Sequence, residues 1–409
     1  MKRTASSAGA SLPMLLYLSL AHLFNDAFQS TVSAVYPVIK DNLSLTFGQI
    51  GLIVLVYQLC ASVLQPVFGV FFDRRPRPWY LSAGTTSTMI GLLLLAFAGS
   101  MYWVMAAVAF IGIGSSVIHP EASRLTHFAS GGRHGMAQSI FQVGGNFGGS
   151  IGPLLAAAIV APRGQRYIAV FAAIAVVSLL TKRPITRWYR EKIQQLRSGT
   201  VKKAAVRRVR LPKKKIYLSL ALLLALIFSK YVYLASLSNF YTFYLIEKFG
   251  VSTQQSQVFL FAFLFASAVG TLIGGPIGDR FGRKHVIWIS ILGTAPFSLL
   301  LPYAGLGWTC ALSVAVGVVL SSAFSAILVY AQELLPTKIG LISGLFFGLA
   351  FGIAGIAAAV LGSVADVKSL AYVYKLCSFI PLMGAVAVFL PNVKQPQRAA
   401  APAASGSAL

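Results

Sequence analysis

Acidic residues are scarce in this chain. Of 409 residues, 9 are Asp or Glu against 34 Lys or Arg, and charged residues of both signs make up only 11%, where soluble domains carry about 25%. A hydrophobic share of 57% and a mean hydropathy of +0.76 accompany that deficit. A water-soluble globular protein is excluded. Cysteine is also rare: Cys60, Cys310 and Cys377 are odd in number, widely spaced and set in apolar runs without a CxxC pair, which argues against a disulfide framework and a zinc site. No segment is long and polar enough to form a signalling domain, so a non-transporting receptor is excluded too.

The apolar runs have the length of membrane spans. A helix needs about 20 residues to cross the hydrocarbon, and suitable runs fall at 14–38, 47–72, 79–98, 101–123, 134–160, 166–181, 216–246, 254–278, 285–304, 308–332, 338–364 and 370–390. The first follows Lys2 and Arg3 as a signal peptide would, but it continues past Val38 without a small-residue cleavage site and reads as a retained helix. With both termini in the cytoplasm, 27 Lys and Arg lie in cytoplasmic segments and 6 in outer ones, with Lys230 inside a span. The formal charge of +25 is therefore a topological signal, not a nucleic-acid footprint. Residues 182–215 hold 14 of these bases against the single acid Glu191, and read as a basic cytoplasmic linker or a contact for anionic lipid. The tail 393–409, rich in Ala, Ser and Pro, reads as disordered.

The chain repeats itself. Gly69-Val-Phe-Phe-Asp73-Arg74-Arg75-Pro76-Arg77 follows the second span, and Gly275-Pro-Ile-Gly-Asp279-Arg280-Phe281-Gly282-Arg283-Lys284 follows the eighth. The fifth span of each half carries glycine at every fourth position: Gly144, Gly148 and Gly152 before Pro153 in one, Gly344, Gly348 and Gly352 in the other. Such spacing lets helix backbones approach closely. The expected architecture is all-α: twelve transmembrane helices in two pseudo-symmetric six-helix bundles, residues 1–181 and 216–392, around a site that opens to either side.

These motifs resemble the major facilitator superfamily. Gly275 to Lys284 follows that family's G-x-x-x-D-R-x-G-R-K signature, whereas the first copy departs from it at Pro76 and Pro78. Gly148-Gly-Ser-Ile-Gly152-Pro153 resembles the fifth-helix motif of its drug:proton antiporters, although Gly112-Ile-Gly114-Ser115-Ser116 stands where those antiporters carry a fourth-helix arginine. Across nearly the whole chain, His22-x-x-Asn25-Asp26, His119-Pro-Glu121, Ser130-Gly-Gly-Arg-His-Gly135, Gln138-Ser-Ile-Phe-Gln142, Ser229-Lys230-Tyr231 and Tyr330-Ala-Gln-Glu333 are similar to the fosmidomycin-resistance branch. The resemblance implies a bacterial inner-membrane exporter of an anionic phosphonate drug, driven by the proton gradient, with no cofactor and functional as a monomer. It also implies that Asp73 and Asp279, with Arg74, Arg280, Arg283 and Arg124 beside them, help latch a cytoplasmic gate.

Ionisable groups within the bilayer are costly and mark function. Asp26 in the first span and Lys230 in the seventh occupy matching places in the two halves, and are expected to face each other across a central cavity, as a transport pair or a fixed ion pair. His22, Asp26, Gln29 and Ser33 form one polar stripe; Gln138, Gln142 and Asn146 form another; Lys230, Leu234, Leu237 and Tyr241 share a face. Tyr231 and Tyr233 lie deep enough for a phenol to bind phosphonate or simply pack. Glu121 and Glu333 are proton-site or gate candidates, although Arg124 stands three residues from Glu121 and permits an ion pair. His119 is a candidate for substrate or proton contact. An uptake symporter for organic anions would share the fold. An intramembrane metal enzyme is weakly supported, because His119, Glu121, His127 and His134 match no HExxH spacing, and no metal site is expected.

Overall fold

A computed structural model describes residues 11–45, 47–198 and 211–392. Among them there is helix and no strand. Twelve helices cross the molecule: α1 (Leu12–Asn42), α2 (Gln49–Arg74), α3 (Tyr80–Ala96), α4 (Met101–Ala129), α5 (His134–Val160), α6 (Ala169–Thr181), α7 (Lys213–Phe249), α8 (Thr253–Phe281), α9 (Arg283–Tyr303), α10 (Leu306–Leu334), α11 (Ile339–Val367) and α12 (Leu370–Phe389). Ten stretches are long and apolar enough to span a membrane by length and composition. The other two are α1, whose polar stripe lowers its hydropathy, and α3, which is only 17 residues long.

Helix boundaries follow local chemistry. Pro13 stands in the first turn of α1, where a missing N–H costs nothing. Gly250, at φ 65°, ends α7 in the left-handed conformation that glycine adopts without strain. Ser252 caps α8 by accepting from the Gln255 N–H. Short π-helical turns interrupt α2 at Leu59–Val63 and α5 at Ala156–Val160. Residues 182–198 differ from a plain linker: Arg183–Arg197 is an amphipathic helix that buries Ile185 and Tyr189 and exposes Arg183, Arg187, Arg190 and Lys192. The tail 393–409 lies outside the described residues.

The glycine stripes are packing surfaces. A Cβ on Gly144 or Gly148 of α5 would collide with the backbone carbonyls of Ser19 and Leu23 on α1, and one on Gly152 with the Ser30 side chain. The stripe of α11 faces the other half instead: Gly344 and Gly348 lie against the carbonyls of Gln65 and Ser62 on α2. Gly352 departs from the expected close approach, since a Cβ there would meet the Ser62 side chain only at 3.8 Å. Pro153 precedes the π turn of α5 and is exposed.

The apolar core is asymmetric along the helix axes. At the end that carries the arginine-rich loops, here the basic end, one continuous cluster joins Leu15, Ile118 and Phe141 of the N-terminal half to Leu226, Ile327 and Phe346 of the C-terminal half. Toward the other end the core splits. Val32, Val108 and Phe171 belong to one cluster made of N-terminal residues alone, and Tyr233, Tyr241 and Val316 to another made of C-terminal residues alone. The two halves are thus fused at the basic end and packed separately beyond it.

Candidate functional site

Both signature aspartates sit at the fused end and reach across to the opposite half. Asp73, at the end of α2, accepts from the backbone N–H groups of Gly340 (2.9 Å) and Leu341 (3.0 Å) at the start of α11. Asp279, at the end of α8, accepts from Gly135 (3.0 Å) and Met136 (2.8 Å) at the start of α5. A carboxylate is stabilised by the unpaired N–H groups and positive dipole end of a helix N-terminus. The backbones come together because Gly69 meets Gly340 and Gly275 meets Gly135 without side chains between them.

The remaining gate candidates extend these two contacts. Arg283 bridges Asp279 (2.7 Å) and Glu333 (3.1 Å). Arg124 grips Glu121 through two bonds of 2.8 and 2.9 Å and donates to the Tyr189 hydroxyl at 2.6 Å, which ties the amphipathic helix to α4. Glu121 and Glu333 are therefore both ion-paired at the basic end, Glu121 with the arginine three residues on. Arg74 and Arg280 are exposed and form no ion pair among the described residues. A buried network strengthens the fused end: Gln332 donates to Ser343 (2.9 Å), Ser343 to Ser123 (3.1 Å), and Ser123 to Gln138 (3.2 Å). His127 joins it at Gln332 (3.2 Å) and stacks on His134, with ring centroids 3.9 Å apart.

Above this closure the stripe on α1 opens progressively. His22 is 0% exposed, the Asp26 side chain 16%, Gln29 is half-buried, and Ser33 is exposed. Asp26 is the hub. Its carboxylate has His22 Nε2 at 3.2 Å, His119 Nε2 at 3.1 Å, and accepts from Asn25 Nδ2 (3.0 Å) and Gln29 Nε2 (3.2 Å). Tyr57 of α2 donates to Gln29 Oε1 at 2.5 Å. Aromatic rings wall the cluster: Phe141 stacks on His22, and Phe347 and Phe351 of α11 lie 5.3 and 5.1 Å from His119.

Lys230 does not pair with Asp26, so the fixed ion pair that was one reading of the two positions is not formed. It is 3% exposed, its Nζ has only the Ser321 carbonyl at 3.5 Å, and it lies over the rings of Tyr231 (5.6 Å) and Phe324 (5.5 Å). His119, Asn25 and Gln29 hydrogen-bond Asp26; no carboxylate satisfies Lys230 among the described residues. Equal position within each half sets equal depth, but the facing helices decide who pairs. Phe324 and Phe347 touch edge to face at 5.1 Å and connect the two groups through rings.

The face assigned to α7 also needs correction. Leu237 and Tyr241 are 0% exposed, and Tyr241 donates to Ser313 at 2.9 Å inside the C-terminal bundle. Tyr233 is buried in the same cluster and does not line a cavity. Tyr231, Leu234 and Ser238, near Lys230 on that helix, are half-buried. On α5, Asn146 donates to Thr271 of α8 at 3.3 Å, Gln138 accepts from Ser123 within the closure while its buried Nε2 has no partner, and Gln142 remains half-buried with an unpartnered Oε1. Sequence reasoning missed Gly145, whose missing Cβ makes room for the His22 ring and the Asp26 carboxylate. It stands beside Gly144 of the packing stripe, and that adjacency was the only available signal.

A bundle of membrane-spanning helices closed at one end around buried polar groups is the architecture of a carrier. The major facilitator superfamily profile matches residues 18–256 and 223–408, and the chain belongs to that superfamily: it is a multi-pass membrane transporter of a small molecule. It is 54% identical over 95% of both chains to the fosmidomycin resistance protein of Escherichia coli (strain K12), and 40% identical over 96% of both to the uncharacterized MFS-type transporter YfnC of Bacillus subtilis (strain 168). The fold is similar to that of the transporter FucP, solved in the outward conformation, with TM-score 0.71 at 14% identity over 94% of this chain and 100% of that one. A bacterial homologue of ferroportin, solved in an outward-facing state, gives 0.66 at 16% identity, covering 92% and 98%.

Proposed function

We propose that the chain exports fosmidomycin, or a small phosphonate anion of that kind, across the bacterial cytoplasmic membrane in exchange for protons. The observation that carries this reading is Lys230: a buried ammonium with an aromatic surround and no carboxylate partner. An unpaired charge in such a place is strongly unfavourable, and an arriving anion relieves it. The fosmidomycin resistance protein, at 54% identity, supports the choice of anion. Tyr231 and Gln142, half-buried near the same level, supply further hydrogen-bond partners for phosphonate oxygens.

The basic end faces the cytoplasm under the positive-inside rule, with both termini there. The described arrangement is then closed inward, and Asp73 and Asp279 latch it. Asp26 with His22 and His119 is the proton-carrying group. Because Lys230 and Asp26 are separate, drug and proton do not compete for one ion pair. Coupling instead passes through Phe324 and Phe347, which touch the lysine on one side and His119 on the other. Anion release outside precedes protonation of the Asp26 group; reclosure and proton release inside reset the carrier. N-terminal and C-terminal bundles rock about the site as units, joined by the basic segment 182–215.

The test is fosmidomycin accumulation in cells expressing Lys230→Ala at wild-type level. Loss of resistance with restored drug accumulation is expected; undiminished resistance rejects the site. Inside-out vesicles acidified by respiration fix the direction: an exporter by antiport releases luminal protons when drug is added, and an uptake symporter does not.

A further inference from the structure

The Asp26 cluster has the donor set of a metal centre, although the sequence suggested none. His22 Nδ1 lies 2.9 Å from the Phe141 carbonyl, and His119 Nδ1 3.1 Å from the Ser115 carbonyl. A carbonyl oxygen only accepts, so the His22 Nδ1 carries the hydrogen, and in the neutral imidazole its Nε2 is left as a lone pair facing a carboxylate, which is itself an acceptor. His119 Nδ1 also has the Ser115 hydroxyl at 3.2 Å, and its Nε2 bonds Asp26 Oδ1 at 3.1 Å. The His22 Nε2 atom makes no aligned hydrogen bond even though Asp26 Oδ2 is 3.2 Å away. A lone pair and a carboxylate held this close, with a second imidazole beside them, are stabilised by a cation between them.

From this geometry we infer that His22, Asp26 and His119 bind one divalent transition cation of the zinc or cobalt class. Ligand atoms of the trio all lie within 4.8 Å of one another. His22 lies 3.2 Å from Asp26 Oδ2 and His119 3.1 Å from Asp26 Oδ1, separations that metal bonds of about 2.0–2.2 Å can bridge. Two imidazoles and a carboxylate with a fourth position left for water suit a borderline ion. The Phe141 carbonyl behind His22 and the Ser115 carbonyl behind His119 are the outer-shell partners such ligands require. Phe141, Phe347 and Phe351 provide the apolar wall, and 16% exposure of Asp26 leaves a way in. Gly145 completes the cradle: a Cβ there would press on the His22 ring and on Asp26 Oδ2. Metal and proton compete for the same three side chains, since the ligands must be deprotonated to bind the ion, and occupancy does not depend on the identity of the cargo.

The test uses the full chain, purified without a polyhistidine tag, placed in lipid nanodiscs and stripped with a chelator. Titration with Co2+ is followed by the visible absorption of tetrahedral cobalt, and Zn2+ is used to displace it. Expected are one ion per chain and an affinity at least about tenfold weaker in His22→Ala, His119→Ala and Asp26→Asn. Gly145→Ala should weaken binding with every ligand still present, and His127→Ala should leave it unchanged. His22→Gln replaces His22→Ala if the latter does not elute as a single folded species. Absence of stoichiometric cobalt binding by the wild type, or binding that survives in His22→Gln and Asp26→Asn, overturns the inference. So does loss of the signal in His127→Ala alone, which would put the metal on the stacked histidine pair.

Discussion

The two halves place one buried charge each at the centre of the molecule and treat it in opposite ways. The N-terminal half surrounds Asp26 with two imidazoles and two amides, whereas the C-terminal half leaves Lys230 with a single carbonyl at 3.5 Å and two aromatic rings. A group with its partners supplied internally can change protonation state without outside help. A group without them awaits a ligand. The difference separates the coupling function from the binding function and locates each in its own bundle.

The comparison breaks most visibly at Lys230. Replacing it with Met should abolish export while raising thermal stability, because removal of an uncompensated buried charge by an apolar side chain of similar length is stabilising by about 1–4 kcal/mol. Resistance and melting temperature, measured on the same variant, check both halves of that statement, and lowered stability would mean that Lys230 has a protein partner after all. Asp26→Asn should have the next largest effect: export should no longer respond to the pH gradient in vesicles, and drug exchange at equilibrium should persist. Asp73→Asn and Asp279→Asn each weaken two hydrogen bonds to a helix N-terminus, worth about 1–2 kcal/mol together. Spin-label distances across the basic end should therefore shift toward the open population in both variants. The smallest effect is expected for Tyr233→Phe, where transport stays at wild-type level, because this ring packs inside the C-terminal bundle.

Much of the architecture was legible because membrane spanning imposes length and polarity on every helix. The run 134–160 coincides with α5, and 370–390 exceeds α12 by a single residue. Asp73 and Asp279 could be read as anchors, since an acid among bases at repeated positions has few other uses, and the structure gives each of them a helix N-terminus. The Glu121–Arg124 pair follows from spacing alone. What sequence could not supply is the rotation of each helix about its own axis. A stripe containing Lys230, Leu234, Leu237 and Tyr241 has the right period, yet Tyr241 faces Ser313 within its own bundle. Contacts between distant positions were equally hidden: His22 and His119 are neighbours of Asp26 on different helices, and nothing in the chain before folding links residue 119 to residue 26. The α11 glycines carried a similar ambiguity, because a small-residue stripe announces a close neighbour without saying which. Here the neighbour is α2 of the opposite half.

The most direct measurement is fosmidomycin affinity of the purified protein by calorimetry, comparing Asp26→Asn with Lys230→Met. Separate sites predict that Asp26→Asn binds within about threefold of wild type while Lys230→Met loses at least about tenfold, the value of one charge-assisted hydrogen bond. Equal losses in the two variants, or a loss confined to Asp26→Asn, would contradict the division of labour between the bundles.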